Sequence, residues 1–251
     1  MKKERLDNLL VERGLVPSRE RAKALITAGK VLVNGQKIDK PGANVNTDAQ
    51  VQLIGGLPYV SRGGLKLEGA LKAFGIDPKG SVVMDVGAST GGFTDCALQR
   101  GAKKVYAVDV GYGQLAWELR KDPRVVNLER TNIRYLRREA IEEKDGVDLI
   151  LIDASFISIE KFLPQLLGFL KGRGSLVALI KPQFEVGKGE VGKGGVVKDP
   201  ALHQKVIERI SAFCLKLGLS IRGVVESPLL GPKGNKEFFI HLKKENFGNH
   251  D

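Results

Sequence analysis

Four ionisable residues stand where apolar runs of this chain end or begin. Lys66 lies in Ser61-Arg62-Gly63-Gly64-Leu65-Lys66-Leu67, ahead of the first long apolar run. Asp153 ends Leu149-Ile150-Leu151-Ile152-Asp153, and Lys181 ends Val177-Ala178-Leu179-Ile180-Lys181, directly before Pro182. Glu237 opens the last apolar run. In an open α/β sheet, ligands bind beyond the carboxyl ends of the strands. Asp153 and Lys181 point to that edge, and Glu237 starts at it if its strand runs antiparallel. A lysine at the end of an apolar strand is costly unless paired, so Asp153 and Glu237 are expected to pair with Lys181 and Lys66. Two cations and two carboxylates at one edge can move a proton and stabilise charge developing on a reacting atom. A purely structural ion-pair network is the competing reading for any one of them.

A second constellation lies at the end of the first apolar run. Ser81-Val82-Val83-Met84-Asp85-Val86-Gly87 reads as a buried strand ending in Asp-x-Gly. The loop Ala88-Ser89-Thr90-Gly91-Gly92 follows, and a helix begins at Phe93-Thr94-Asp95. Gly87 permits a tight turn and close approach of a ligand. Asp109 ends the next strand, Val105-Tyr106-Ala107-Val108-Asp109, where a carboxylate can accept hydrogen bonds from ribose hydroxyls. A nicotinamide dinucleotide would call for G-x-G-x-x-G around its pyrophosphate. Ser89 replaces the second glycine, which disfavours a pyrophosphate. S-adenosylmethionine carries no phosphate, and its amino acid part suits the space beside Asp85 and Gly87. The expected cofactor residues are therefore Asp85, Gly87, Ser89, Thr90, Gly91, Gly92, Phe93 and Asp109. Asn132 follows the third strand, near where adenine sits in such a fold; a turn-forming asparagine is the alternative.

These residues need a scaffold, and the apolar runs supply one. Strands are expected at Val82–Val86, Lys104–Val108, Val125–Leu128, Leu149–Asp153, Leu176–Lys181, Ser220–Val225 and Phe238–Leu242, with helical segments between most of them. Alternating strands and helices predict a doubly wound α/β sheet. The last two strands are separated by the turn-rich Ser227–Asn235 stretch, which leaves no room for a helix and predicts a terminal antiparallel hairpin. Gly187-Lys188-Gly189-Glu190-Val191-Gly192-Lys193 mimics a phosphate-binding Walker loop, but Gly194 replaces its Ser/Thr and a poor helix start follows. It reads instead as a basic loop over the active site or near RNA, or as an idle surface loop.

Residues 1–60 have a different character, with ten Lys+Arg against six Asp+Glu, a net of +4. Leu6, Leu9 and Leu10 share one helical face, and Gly14 ends that helix. Ser18 caps a second helix with Ala22, Leu25 and Ile26 facing inward. Asn34-Gly35 between apolar runs is a hairpin signal, and Val51–Ile54 closes a small sheet. Arg19 and Arg21 fall in the first turn of the second helix, where cations oppose its dipole. An external phosphate would compensate; solvated surface arginines are the bland alternative. The expected nucleic-acid contacts are Arg5, Ser18, Arg19, Arg21, Lys23, Lys30, Asn34 and Arg62.

The whole chain has 251 residues, 42% of them hydrophobic, and 40 Lys+Arg against 29 Asp+Glu, a net charge of +11. That length and composition support a small domain plus a medium one, with a sizeable core. The charge favours a polyanionic partner, nucleic acid or an anionic membrane surface. Cys96 and Cys214 lack metal-ligand spacing, so neither a disulfide framework nor a metal site is expected, and a reducing compartment is natural. No signal peptide and no run long enough to span a membrane is legible, so the chain is read as soluble and cytoplasmic.

The helix pair, Ser18-Arg19-Glu20-Arg21-Ala22, Ile26-Thr27-Ala28-Gly29-Lys30-Val31 and the Val33-Asn34-Gly35 turn resemble the S4 RNA-binding module over residues 4–54. That resemblance implies a structured RNA partner. The Lys66–Asp153–Lys181–Glu237 set resembles the tetrad of FtsJ/RrmJ-type ribose 2′-O-methyltransferases. With Tyr59–Lys66 and Lys181-Pro182-Gln183-Phe184-Glu185, nearly the full length resembles the TlyA (hemolysin A) family. The resemblance implies a Rossmann-like class I methyltransferase, with a mostly parallel seven-stranded sheet, preceded by a small α+β S4 domain. The expected organisation is an S4-like domain over 1–55, a linker over 56–62, a methyltransferase domain over 63–245 and a tail over 246–251. The implied activity is S-adenosylmethionine-dependent 2′-O-methylation of cytidine in 16S or 23S ribosomal RNA, or both, with ribosomal subunits as partners.

In that chemistry Lys181 acts as a base, if the nearby Lys66 keeps it neutral, or as a cation beside the developing alkoxide. Asp153 orients it and lies near the sulfonium, while Glu237 and Lys66 position the ribose. Three rivals stay open: an RNA-binding protein with a dead catalytic domain, a membrane-lytic hemolysin, and a base or protein methyltransferase. Among the last, N-methyltransferases acting on adenine often carry Asn/Asp-Pro-Pro-aromatic after the fourth strand, where this chain has Asp153-Ala154-Ser155-Phe156 and lacks the prolines.

Overall fold

The computed structural model describes residues 3–16, 18–55, 58–187, 189–192 and 194–245. Parts of three expected segments lie outside the described residues: Gly56 and Leu57 of the linker, Lys188 and Lys193 of the basic loop, and the 246–251 tail. The chain divides into two compact units, Met1–Arg62 and Gly63–Asp251.

In the smaller unit, β1 (Lys3–Arg5) leads into α1 (Leu6–Glu12), and α2 (Arg19–Thr27) packs on α1. β2 (Val31–Val33), β3 (Gln36–Lys37), β4 (Asn44–Asn46) and β5 (Val51–Leu53) follow. Leu6, Leu9, Leu10, Ala22, Leu25 and Ile26 are all buried, so the expected inward faces are the observed ones. The Ser18 Oγ accepts the Arg21 backbone N–H at 3.2 Å, capping α2 as expected. Asn34 and Gly35 adopt φ of 51° and 78°, the two positive values a tight hairpin needs, and β2 sits between β3 and β5. A second, two-stranded sheet of β1 and β4 was not legible, because its strands are three residues long and mostly polar.

The larger unit begins on α3 (Arg62–Phe74). It continues through β6 (Val82–Val86), α4 (Gly92–Gln99), β7 (Lys104–Val108), α5 (Trp117–Arg120), β8 (Val125–Leu128) and β9 (Val147–Ile152). α6 (Leu163–Leu166), β10 (Leu170–Ile180), α7 (Pro182–Glu185), α8 (Pro200–Lys216), β11 (Leu219–Glu226) and β12 (Phe238–Lys244) complete it. The seven strands form one sheet in the order β11-β12-β10-β9-β6-β7-β8. Every pairing is parallel except those of β12, which runs antiparallel to both its neighbours. The central strands β6, β7 and β9 and the second half of β10 are largely apolar because both faces are covered. Met84, Tyr106, Ile150, Ala178 and Ile240 join Phe162, Leu163 and Ile210 in one cluster. On the alternate positions Val83, Val105, Leu149, Val177 and Phe239 are also buried, and Phe239 meets Phe93 of α4 with ring centroids 6.1 Å apart. Each such fully buried aliphatic side chain contributes about 1.5–3 kcal/mol.

Two details differ from the expectation. β10 starts at Leu170, six residues before the expected strand, with a register irregularity between Leu170 and Ser175. Its first half, Lys171-Gly172-Arg173-Gly174, lacks the apolar pattern that marks a strand. Between β8 and β9 stand only two short 3₁₀ turns, Ile133–Tyr135 and Arg138–Ala140, in place of a crossover helix. Among the described residues no helix is long and apolar enough to cross a membrane.

Asp85 ties β6 to α4. Its Oδ2 accepts the Thr94 backbone N–H at 2.9 Å and the Thr94 hydroxyl at 2.7 Å, while Oδ1 is buried without a hydrogen-bond partner. Burial pushes the Asp85 carboxyl up to about 7, with Thr94 opposing the rise and Asp153 and Asp109 adding to it. An unfolded aspartate titrates near ~4. Between that value and about 7 the folded chain therefore holds a proton that the unfolded chain has released, and stability falls as pH rises through this window. Asp85→Asn keeps an acceptor for Thr94 and removes the titration. Denaturant melts between about pH 5 and pH 8 are expected to show the parent losing stability relative to the variant. Parallel pH dependence of the two would refute the assignment.

Candidate active site

The sheet topology brings the four charged residues together. Ile152 of β9 is in register with Val86 of β6 and with Ala178 of β10, and Ile180 of β10 is in register with Phe238 of β12. Gly87, Asp153, Lys181 and Glu237 thus share one edge, the first three leaving parallel strands and the last entering an antiparallel one. Lys66 reaches the same place from α3.

They form two ion pairs. Lys66 Nζ lies 2.5 Å from Glu237 Oε2, with side chains 10% and 0% exposed. Lys181 Nζ lies 2.6 Å from Asp153 Oδ1 and donates to Ser155 Oγ at 2.7 Å. Burial pushes the Asp153 carboxyl upward, and Lys181 is the main opposing influence, with Lys66 assisting it and Glu237 working against it. The two pairs therefore feel each other electrostatically. Breaking either one would strand a charge in a poorly solvated place.

Beside the pairs lies a cavity of about 360 Å³. Apolar walls come from Val86, Val108, Ile133 and Phe162, and polar groups from Ser89, Asp109, Asn132 and Asp153. Gly87 also lines it with φ of +84°; a Cβ there would stand 2.7 Å from the Asp153 carbonyl oxygen. Asp109 is pre-oriented by the backbone N–H groups of Ser89 (2.8 Å) and Gly111 (2.7 Å). Asn132 lines the cavity, and its Oδ1 accepts the Arg134 N–H at 3.0 Å, the contact of a turn-forming asparagine.

The remaining loop residues do not line the cavity. Asp85 lies behind it, holding Thr94. The Thr90 carbonyl accepts the Ala116 N–H, and Gly91 (φ +95°) leaves space that Leu115 and Leu119 fill. Gly92 and Phe93 open α4 and are buried. Three neighbours escaped the sequence reading: Ser155, which holds Lys181; Gln183, whose Nε2 lies 3.5 Å from Glu237 Oε1; and Phe156. Phe156 is 88% exposed at φ +66° and lies 4.9 Å from the Phe184 ring, centroid to centroid. An exposed aromatic in a left-handed conformation leaves no periodic signal in sequence.

In the smaller unit, internal partners account for part of the cationic first turn of α2. The fully buried Asp7 accepts from Arg5 Nε and Nη2 (3.0 and 2.9 Å) and from Arg19 Nε (3.1 Å). The Arg5 hydrogen bonds hold the Asp7 carboxyl below its usual range, with Arg19 adding to the effect. Both guanidinium side chains remain nearly half exposed. Arg21 donates to the Tyr59 carbonyl at 2.6 Å, and Ser18 is used as the cap. Lys23 is exposed, Lys30 and Arg62 are half-buried, and Asn34 occupies the hairpin turn, where its Oδ1 accepts the Gln50 N–H.

The pattern of FtsJ-like methyltransferases matches residues 59–244, and that of the S4 domain matches residues 4–51. The chain is 52% identical over 242 residues to YqxC of Bacillus subtilis, which carries the provisional name of an rRNA methyltransferase; the match covers 96% of this chain and 86% of that one. It is 49% identical over 246 residues to the 16S/23S rRNA (cytidine-2′-O)-methyltransferase TlyA of Mycobacterium tuberculosis, covering 97% and 91%. A solved structure from Streptococcus thermophilus, described as a hemolysin, is 45% identical and superposes with a TM-score of 0.77, covering 98% and 90%. With an S4 domain ahead of an FtsJ-like methyltransferase domain, and this similarity along nearly its whole length, the chain belongs to the TlyA family.

Proposed function

We propose that this chain transfers a methyl group from S-adenosylmethionine to the 2′-oxygen of a cytidine ribose in ribosomal RNA. The observation that carries this reading is the double use of Asp153, which lines the cavity and pairs with Lys181. One carboxylate thereby joins a cofactor-sized space to the cation that meets the acceptor. The cavity suits the cofactor: its apolar walls fit an adenine, Asp109 faces it as an acceptor for ribose hydroxyls, and Gly87 allows close backbone approach. Asn132 and Ser89 supply further polar contacts. When bound, S-adenosylmethionine supplies an electrophilic methyl on a sulfonium and leaves as a neutral thioether.

The protein's own residues do the rest. Lys181, fixed by Asp153 and Ser155, meets the 2′-oxygen and stabilises the charge it gains as its proton passes to solvent water. Asp153 places negative charge beside the cationic end of the cofactor. Glu237 and Lys66, paired and nearly dry, orient the ribose and set the local field. In the smaller unit, Arg5 and Arg19 present half-exposed guanidinium groups suited to RNA phosphates. The relatives' names favour cytidine in 16S and 23S rRNA as the acceptor.

Ribosomes lacking the modification, incubated with labelled S-adenosylmethionine and mapped by mass spectrometry, should gain a methyl group on a cytidine ribose. A methylated base would overturn the assignment. Lys181→Ala should lower turnover about 10²–10⁴-fold while cofactor affinity by calorimetry stays within a few-fold. Undiminished turnover would remove Lys181 from the reaction. Arg19→Ala leaves Asp7 paired with Arg5; it should weaken RNA binding and make the slope of log affinity against log salt shallower by about 1. An unchanged slope would mean that Arg19 meets no phosphate.

A further inference from the structure

The strap of residues 194–199 and the turn before β12 are unused by the reaction just described, and Asn235 joins them. This residue is 2% exposed. Its Oδ1 accepts the Val197 N–H at 3.0 Å, and its Nδ2 donates to the carbonyls of Gly195 (3.0 Å) and Pro232 (3.1 Å). Three of the four bonds a primary amide can make are thus formed inside the protein. The Asn235 backbone carbonyl accepts the Gly231 N–H at 2.8 Å, closing a tight turn over residues 231–235. Buried His203 lies on the far side of the strap, with Nε2 at 2.9 Å from the Val197 carbonyl and its ring against Phe238.

That turn bears directly on the Lys66–Glu237 pair. Gly231 lies against Glu237, and a Cβ on Gly231 would land on the Glu237 Oε1 atom. The other oxygen, Oε2, faces Lys66 at 2.5 Å, and the Glu237 carbonyl accepts the Ser227 N–H at 2.8 Å. The carboxylate is therefore confined between Lys66 and the Gly231 backbone. The turn that places Gly231 there is closed by Asn235.

We propose that Asn235 is a positioning residue: it pins the 195–197 strap to the Gly231–Asn235 turn and so holds the Glu237 carboxylate at Lys66. This inference rests on the reaction proposed above. A shift of an ångström in a reacting constellation can cost about 10²-fold in rate, so a side chain that touches no reacting atom can still control turnover. The arrangement also gives the strap a part in the chemistry. Exposed Lys198 on the strap and Lys233 in the turn lie on segments that share Asn235, so an RNA phosphate engaging either would load the structure that carries Glu237.

The test is a double-variant cycle on the full-length protein, with unmodified ribosomal subunits and tritium-labelled S-adenosylmethionine. Gly231 has φ of −70°, so Gly231→Ala meets no backbone strain, and the three atoms nearest its Cβ all belong to Glu237. Asn235→Ala and Gly231→Ala are each expected to lower kcat about 30-fold, with the KM for the cofactor within about twofold of the parent. The double variant should fall no more than about 60-fold, where independent effects would give about 1,000-fold. The ¹³C carboxyl resonance of Glu237, assigned by its loss in Glu237→Gln, should move in both single variants. If Asn235→Ala does not fold, Asn235→Asp replaces it, keeping the acceptor for Val197 and losing both donors. An unchanged kcat, an additive double variant or an unmoved resonance would each overturn the positioning role. Absence of methyl transfer by the parent protein would instead overturn the functional reading, and the resonance would still decide the role of Asn235.

Discussion

A lysine ammonium stays in a poorly solvated place only beside a counter-charge, and this requirement organises the larger unit. Lys66 and Lys181 both lie at about nine-tenths burial, and each has one carboxylate within 2.6 Å. The partners come from different parts of the sequence, Asp153 from its middle and Glu237 from its last strand. Asp153 leaves the middle of the sheet, whereas Glu237 arrives only because β12 turns back between β10 and β11. Were β12 parallel, its first residue would lie at the far edge and Lys66 would have no partner. The antiparallel insertion is thus the topological condition for assembling four charges on one edge.

The cavity depends on the same edge. Its apolar walls are the ends of β6 and β7 and the segments after β8 and β9, the positions where a doubly wound sheet opens a crevice. Desolvation at this edge raises both Asp85 and Asp153, and Asp153 adds to the rise at Asp85 across the β6–β9 pairing. Asp85, behind the cavity, thus feels the charge of Asp153 on its rim.

Much of this was legible in sequence because it is written in apolar runs with charged ends. Strands β6, β7 and β9, the Asp-x-Gly loop, Asp109, Asp153, Lys181 and Glu237 follow from periodicity and from the cost of burying a charge, whereas Lys66 joins them through the resemblance to the FtsJ/RrmJ-type tetrad. The illegible parts share a cause as well. β1, β4 and the first half of β10 are held by pairing with neighbours whose positions no local pattern announces. Ser155, Gln183 and Asn235 act through contacts 26 to 54 residues away along the chain. The sequence around Arg19 and Arg21 allows either an external anion or plain solvation, and part of their compensation lies instead in Asp7 and the Tyr59 carbonyl. A residue's partner is a tertiary fact even when its chemistry is a local one.

Gly87 carries a consequence for how this site can change over time. Its backbone lies so near the Asp153 carbonyl that no side chain fits between them, and the Asp153 N–H in turn donates to Val86 at 2.9 Å. The loop after β6 and the carboxylate that pairs with Lys181 are thus two ends of a single rigid splice. Neither can drift without dragging the other. In the reaction proposed above, the spacing between the cofactor loop and Asp153 is consequently frozen into the main chain, and variation is left to the surfaces around it.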